Sequence, residues 1–326
     1  MAAPPASTAI LAQRPARDGR PAVTYRTAGD RFLLVEYGEM ELDLTLSFRV
    51  LSVEQELAAR GLDGVFDRAP GLRSILVGYD STALAVERLL DHLQEVEDAV
   101  PVSEDLVIPS RVITMPIAFD DEQARAAVDR YAKSIRADAP NVSEHANIPY
   151  IVAYNGLDDP EALYEEILAT EWWNAFTGFF PGLPFMYPLD PRYALFVPKY
   201  NPTRTWTAEG AVGIGGPCVA IYPVESPGGY QLFGRTLPIF DLAARNAAFR
   251  DDPILIKPGD RVRFERVTEE ELLAAFDEVR ADRYRYAIED SPFEVARHLK
   301  HAASVAGEAA ERRRAREAAA EQVPVP

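Results

Sequence analysis

The sequence predicts an α+β chain in two parts, a small N-terminal α/β sandwich followed by a β-barrel. Three observations carry this. Strand-like and helix-like stretches alternate over residues 22–119. Short β-rich runs separated by Gly/Pro turns fill residues 193–264. The 326 residues leave room for two domains at roughly 150 residues each.

Residues 1–21 are rich in Ala, Pro and Arg and read as a disordered N-terminus. Strands are predicted at Arg31–Tyr37 and Leu42–Val50, and helical apolar spacing follows at Leu51, Val53, Leu57 and Leu62. LRSILVGYD gives a third strand. TALAVERLLDHLQEVEDAV gives an amphipathic helix over Thr82–Val100, capped by Thr82 or Ser81. SRVITMPIAF, residues 110–119, is a further strand that closes the first domain.

The second domain is placed at 120–290 and opens with a helical insert over about 120–175. Helices are predicted at Asp120–Ala137 and Asp158–Trp173, the latter starting at Asp159-Pro160. Four prolines exclude a regular element from GFFPGLPFMYPLDPR, residues 178–192. YALFVP, GAVGIGG, CVAIYP, YQLFG, PILI and DRVRFERV then read as barrel strands. Thr268 and Glu271 form a capping box for a helix over Thr268–Tyr284. Residues 291–326 read as a helical, partly disordered tail whose RRRARE run is a solvated face.

A formal net charge of -17 excludes a sequence-wide basic footprint for nucleic acid and argues against an anionic membrane as partner. No run of about 20 apolar residues could span a bilayer. A single cysteine, Cys218, permits no internal disulfide and suggests a reducing compartment, the cytoplasm. There, the Asn141-Val-Ser glycosylation triplet has no meaning. His92, His145, His298 and His301 lie in no metal-binding spacing, so no metal is expected. Cys218 has no adjacent His, and Ser226 lies in no GxSxG elbow.

Residues 199–241 hold seven glycines and five prolines. The Gly213, Gly215, Gly216 run is no dinucleotide fingerprint, because a strand and not a helix follows it. Pro227-Gly228-Gly229 reads as a tight turn whose N–H groups converge into an anion-holding nest. Arg204 and Arg235 could add charge, and Asn201 and Gln231 could read a planar amide. The rival reading is a plain hairpin turn beside a surface arginine.

The stretch PLDPRYALFVPKYNPTRTWTAEGAVGIGGPCVAIYPVESPGGYQLFGRTLPIFD resembles the first, KipI-like half of the carboxyltransferase domain of urea carboxylase. It is also similar to the wider family of KipI, allophanate hydrolase subunit 1 and the 5-oxoprolinase B subunit. The resemblance extends over roughly residues 25–290. GFFPGLPFMYPLDPR is closer to the KipI and 5-oxoprolinase branch, so the substrate is not fixed as urea.

The resemblance implies that the barrel is cyclophilin-like and that a KipA-like partner subunit completes the site. The reaction it implies moves a carboxyl group from carboxybiotin to a urea, guanidine or amide-type nitrogen. No lysine here follows a methionine, so biotin would ride on a separate carrier chain and a separate biotin carboxylase subunit would use ATP. The implied substrate-binding residues are Asn201, Arg204, Gly213, Gly215, Gly216, Tyr222, Gly228, Gly229, Gln231 and Arg235; the catalytic acid or base would belong to the partner or to biotin. Two alternatives stay open: a B subunit of an ATP-dependent 5-oxoprolinase or allophanate hydrolase, and a non-enzymatic KipI-type inhibitor of a histidine kinase.

Overall fold

The computed structural model describes residues 9–326, apart from the side chain of Glu144. The chain divides into two units, residues 1–109 with 292–299, and residues 110–291 with 300–326.

In the first unit the strands are β1 (Ile10–Arg14), β2 (Val23–Thr27), β3 (Phe32–Tyr37), β4 (Val65–Pro70) and β5 (Ser74–Tyr79), in the antiparallel order β1-β2-β3-β5-β4. Helices α1 (Leu44–Arg60) and α2 (Val86–Ala99) accompany this sheet, and a short β6 (Val107–Ile108) follows. The strand expected at Leu42–Val50 is the start of α1. Its buried Leu46, Val50, Val53 and Leu57 recur at helical intervals, and Asp43 caps it by accepting the Thr45 N–H at 2.8 Å. The alternation in LTLSFRV misleads because seven residues are too few to separate the two periods.

Helix α2 starts at Val86, not at Thr82, because Asp80 holds the Thr82 N–H at 3.0 Å in a preceding turn. Glu97 of α2 accepts from buried Arg49 and from the Tyr37 hydroxyl at 2.9 Å, so α1, α2 and the sheet share one paired charge. Of the segment expected to be disordered, residues 10–14 form β1 and pair with β2; residues 1–8 lie outside the described residues.

The second unit begins with β7 (Arg111–Phe119), which the sequence reading assigned to the first domain. Its long apolar run pairs with barrel strands on both sides. Helices α3 (Glu122–Ser134), α4 (Ile148–Tyr154) and α5 (Pro160–Leu168) follow, then β8 (Trp172–Thr177) and β9 (Pro184–Pro188). Asp159 caps α5 as predicted, accepting the Ala162 N–H at 2.9 Å. Trp172 and Trp173, expected at a helix end, belong to β8. The proline-rich stretch does contain a strand, since Pro184 and Pro188 stand at the two ends of β9 and the residues between keep their ladder donors.

The barrel continues with β10 (Ala211–Gly215), β11 (Cys218–Ile221), β12 (Gln231–Thr236) and β13 (Arg261–Arg266). YALFVP and PILI contribute only single bridges, Val197 to Gly216 and Ile254 to Phe240. The order β12-β10-β11-β9-β8-β13-β7 closes through a β12–β7 pairing, leaving no free edge within those seven strands. Helix α6 (Glu269–Arg280) carries the predicted Thr268–Glu271 capping box, and β14 (Ala287–Asp290) adds to β7. Side chains such as Ile113, Met115, Trp172, Met186, Val212, Phe233 and Val262 make the core.

Strand β15 (Phe293–Glu294) pairs with β6, and α7 (Val295–Ala320) ends the chain's regular structure. The end of the tail is not loose. Buried Arg316 binds both Glu166 oxygens, at 2.7 and 2.6 Å, and the Tyr150 hydroxyl donates to the Pro324 carbonyl at 3.0 Å. No helix among the described residues is long and apolar enough to cross a membrane.

Candidate functional site

The segment Val197–Arg204 lies against the two glycine turns that the sequence singled out. Val197 exchanges both backbone bonds with Gly216, the Tyr200 N–H donates to the Gly229 carbonyl at 2.7 Å, and Arg204 exchanges both bonds with Gly228. Gly216 and Gly228 therefore give their N–H groups to the protein's own chain. The expected nest of free donors at Gly228 is filled by Arg204, a correction with a plain cause: a buried N–H needs a partner, and the nearest one is covalently supplied.

Glycine is required here for close approach. A Cβ on Gly228 would stand 2.3 Å from the Tyr222 hydroxyl, and one on Gly215 would stand 2.4 Å from the Tyr230 ring. Gly213 lies in the middle of β10 and Gly215 at its end, and both are buried.

Gln231, at the start of β12, is fully buried and its amide is committed at both ends. Its Nε2 donates to the Pro198 carbonyl at 2.8 Å, and its Oε1 accepts from Asn141 Nδ2 at 2.9 Å. The planar amide it meets is the protein's own Asn141.

Arg204 is equally buried. Its Nη atoms donate to the Tyr230 carbonyl and to Thr207 Oγ1, and its guanidinium lies 4.5 Å over the Tyr200 ring; Nε has no partner among the described residues. Asn201 is exposed, and its carbonyl accepts from Arg136 at 3.2 Å. Tyr222 is buried behind the Gly228 turn, where the Ser226 hydroxyl lacks a partner among the described residues.

Arg235 does not join this group. It stands four residues along β12 from Gln231, ~13 Å at about 3.3 Å per residue. There its Nε donates to the Glu209 carbonyl at 2.9 Å and its guanidinium lies 4.4 Å over the Phe276 ring. Burial lowers its pKa, opposed by the charges of Asp121 and Glu209. Burial also pushes the Asp121 carboxyl up to about 6, despite Arg235, and the Cys218 thiol up to about 12. That thiol is inert at neutral pH. Among the described residues no group of three or more His, Cys, Asp or Glu could hold a metal.

Lys199 was missed as a site candidate. It is exposed, with its ammonium 5.2 Å from the Tyr230 ring centroid. Every backbone neighbour is tied: Val197 to Gly216, Pro198 to Gln231, Tyr200 to Gly229. A flexible cation on so constrained a mount differs from an ordinary surface lysine. Its scarcity was visible, since the chain has four lysines among 34 basic residues.

A family model described as "Carboxyltransferase domain, subdomain C and D" matches residues 23–250. The chain belongs to this carboxyltransferase-domain family. Urea amidolyase of Saccharomyces cerevisiae is 37% identical over 299 residues, 91% of this chain and 16% of that protein. The 5-oxoprolinase B subunit of Escherichia coli O157:H7 is 32% identical over 235 residues, 69% of this chain and 89% of that protein. The crystal structure of Kluyveromyces lactis urea carboxylase superposes with a TM-score of 0.84 at 33% identity, covering 96% of this chain and 28% of that one. The carboxyltransferase-domain barrel is cyclophilin-like, and the chain spans about a sixth of the length of the urea amidolyase it matches.

Proposed function

We propose that this chain is one half of a carboxyltransferase in a biotin-dependent carboxylase and moves a carboxyl group to a urea, guanidine or amide-type nitrogen. A KipA-like subunit would complete the site, with biotin carboxylase and the biotin carrier on other chains. The single observation that carries this reading is the pinned Val197–Arg204 segment within the region matched by the carboxyltransferase model, with Lys199 facing outward.

When bound, carboxybiotin supplies the transferable carboxyl, an anion that an exposed ammonium suits. Lys199 would hold that carboxylate as a point charge. Tyr200 and Arg204 are buried, so their part is to fix the backbone on which Lys199 stands, a preorganisation worth more than new contacts made on binding. Arg235 and Asp121, whose carboxyl burial pushes up to about 6, form a second polar station at the other end of β12.

The test is reconstitution with the neighbouring carboxyltransferase, carboxylase and carrier chains, followed by bicarbonate- and ATP-dependent carboxylation of urea, guanidine and lactams. Lys199→Ala should lower turnover at least tenfold. Full turnover in that variant would defeat the assignment of Lys199. A second reading, the B subunit of a 5-oxoprolinase complex, is favoured by the near-full coverage of the bacterial protein; it requires ATP-dependent opening of 5-oxoproline without bicarbonate.

A further inference from the structure

Behind Lys199 runs a chain of amides whose direction is fixed by chemistry. The Pro198 carbonyl can only accept, so Gln231 must turn Nε2 towards it. That leaves Oε1 facing Asn141, which must then present Nδ2. Asn147 locks the other side: its Oδ1 accepts the Leu232 N–H at 2.8 Å, and its Nδ2 donates to the Asn141 carbonyl and the Tyr200 hydroxyl at 2.7 and 2.6 Å. Tyr131 of α3 packs edge-on against Tyr200, with ring centroids 4.6 Å apart. Both residues flanking Lys199 are thus held from the segment between α3 and α4.

Asn141 is fully buried, yet its Oδ1 has no partner among the described residues. For stability alone an apolar side chain would suit such a place better. What only an amide does here is orient Gln231. The same burial and bonding keep the Asn141-Val-Ser triplet from serving as a glycosylation acceptor.

We propose that Asn141 is a positioning residue for Lys199, acting through Gln231 and Pro198. The Asn141 donor holds the Oε1 end of Gln231 and so keeps Nε2 on the Pro198 carbonyl, and the Pro198 carbonyl sets where the next residue's ammonium stands over Tyr230. The functional consequence rests on the carboxyltransferase reading above; the mechanical link does not.

The chain's four lysines, Lys133, Lys199, Lys257 and Lys300, make the link directly observable. Reductive methylation with 13C-formaldehyde keeps the lysine charge and gives one dimethylammonium signal set per lysine. Lys199, assigned with Lys199→Arg, should be displaced upfield by the Tyr230 ring. In Asn141→Asp, which keeps the size and removes the donor, that displacement should be lost while the other three lysines stay in place. Gln231→Glu should give the same loss from the other end of the relay, and covers the case in which an Asn141 variant does not fold. An unmoved Lys199 signal in folded Asn141→Asp overturns the proposal, as does equal movement of all four signals in folded protein. Full carboxyl transfer by Lys199→Ala in the reconstituted complex would instead overturn the functional reading and leave the mechanical link standing.

Discussion

Asp121 caps α3 with one carboxylate oxygen, which accepts the Gln123 N–H at 3.1 Å, and leaves its other oxygen buried without a partner among the described residues. Its folded pKa of about 6 lies above the ordinary 3.8. The folded state therefore binds more protons than the unfolded state between those values, and stability attributable to this group falls as pH rises through the window. A rise of that size corresponds to about 3 kcal/mol at most. Asp121→Asn keeps the cap acceptor and removes the charge. Relative to wild type, it should gain about 1–2 kcal/mol at pH 8 and nothing at pH 4, measured by urea denaturation across pH. Equal differences at both ends would mean that Asp121 stays ionised. Asp190 works in the opposite sense. Burial alone would raise it, but hydrogen bonds from Arg192 and His301 outweigh that and hold it at about 2, so its contribution is full above the ordinary 3.8 and is lost as pH falls from there through about 2.

At the scale of elements, Arg316 makes the most buried of the contacts that fasten α7, beside His301 to Asp190, Glu308 to Arg192 and Arg312 to Glu166. Arg316 meets both oxygens of Glu166 and two carbonyls, of Arg192 at 3.2 Å and Ala194 at 2.7 Å. Truncation leaves a largely buried carboxylate with only the more distant Arg312, at 3.6 Å, to offset it, so Arg316→Ala should cost about 3 kcal/mol. Arg316→Met combined with Glu166→Gln should cost clearly less, because neither partner is then left charged. Denaturant midpoints of the single and double variants decide this, and hydrogen exchange should open first over residues 300–324. Equal losses would mean that packing, not the ion pair, holds the helix.

The same scale shows what the sequence made legible. The Asp159 cap of α5 and the Thr268–Glu271 capping box of α6 are local signals and were read correctly. Helix α1 was half missed because LTLSFRV carries two periods at once. Strand β7 was placed in the wrong unit because its partners β12 and β13 lie far away along the chain. At the site, Arg204, Gln231 and the glycines were singled out by composition, but their partners were invisible. Gln231 meets Asn141 across 90 residues, and no spacing rule connects two such amides.

Taken whole, the molecule keeps its strongest recognition groups for itself. Arg204, Gln231 and the Gly216 and Gly228 amides all have internal partners, whereas Lys199 and Asn201 are exposed. A ligand the size of urea has four heavy atoms, and even the best small ligands gain only ~1.5 kcal/mol per atom, in enclosed sites. An open surface with one lysine yields far less. The isolated chain should therefore bind urea or guanidine no tighter than about 10 mM, as read by saturation-transfer NMR. Adding the companion carboxyltransferase chain should tighten binding of one of them at least tenfold. Submillimolar binding by the chain alone would show a complete pocket and remove the need for a companion.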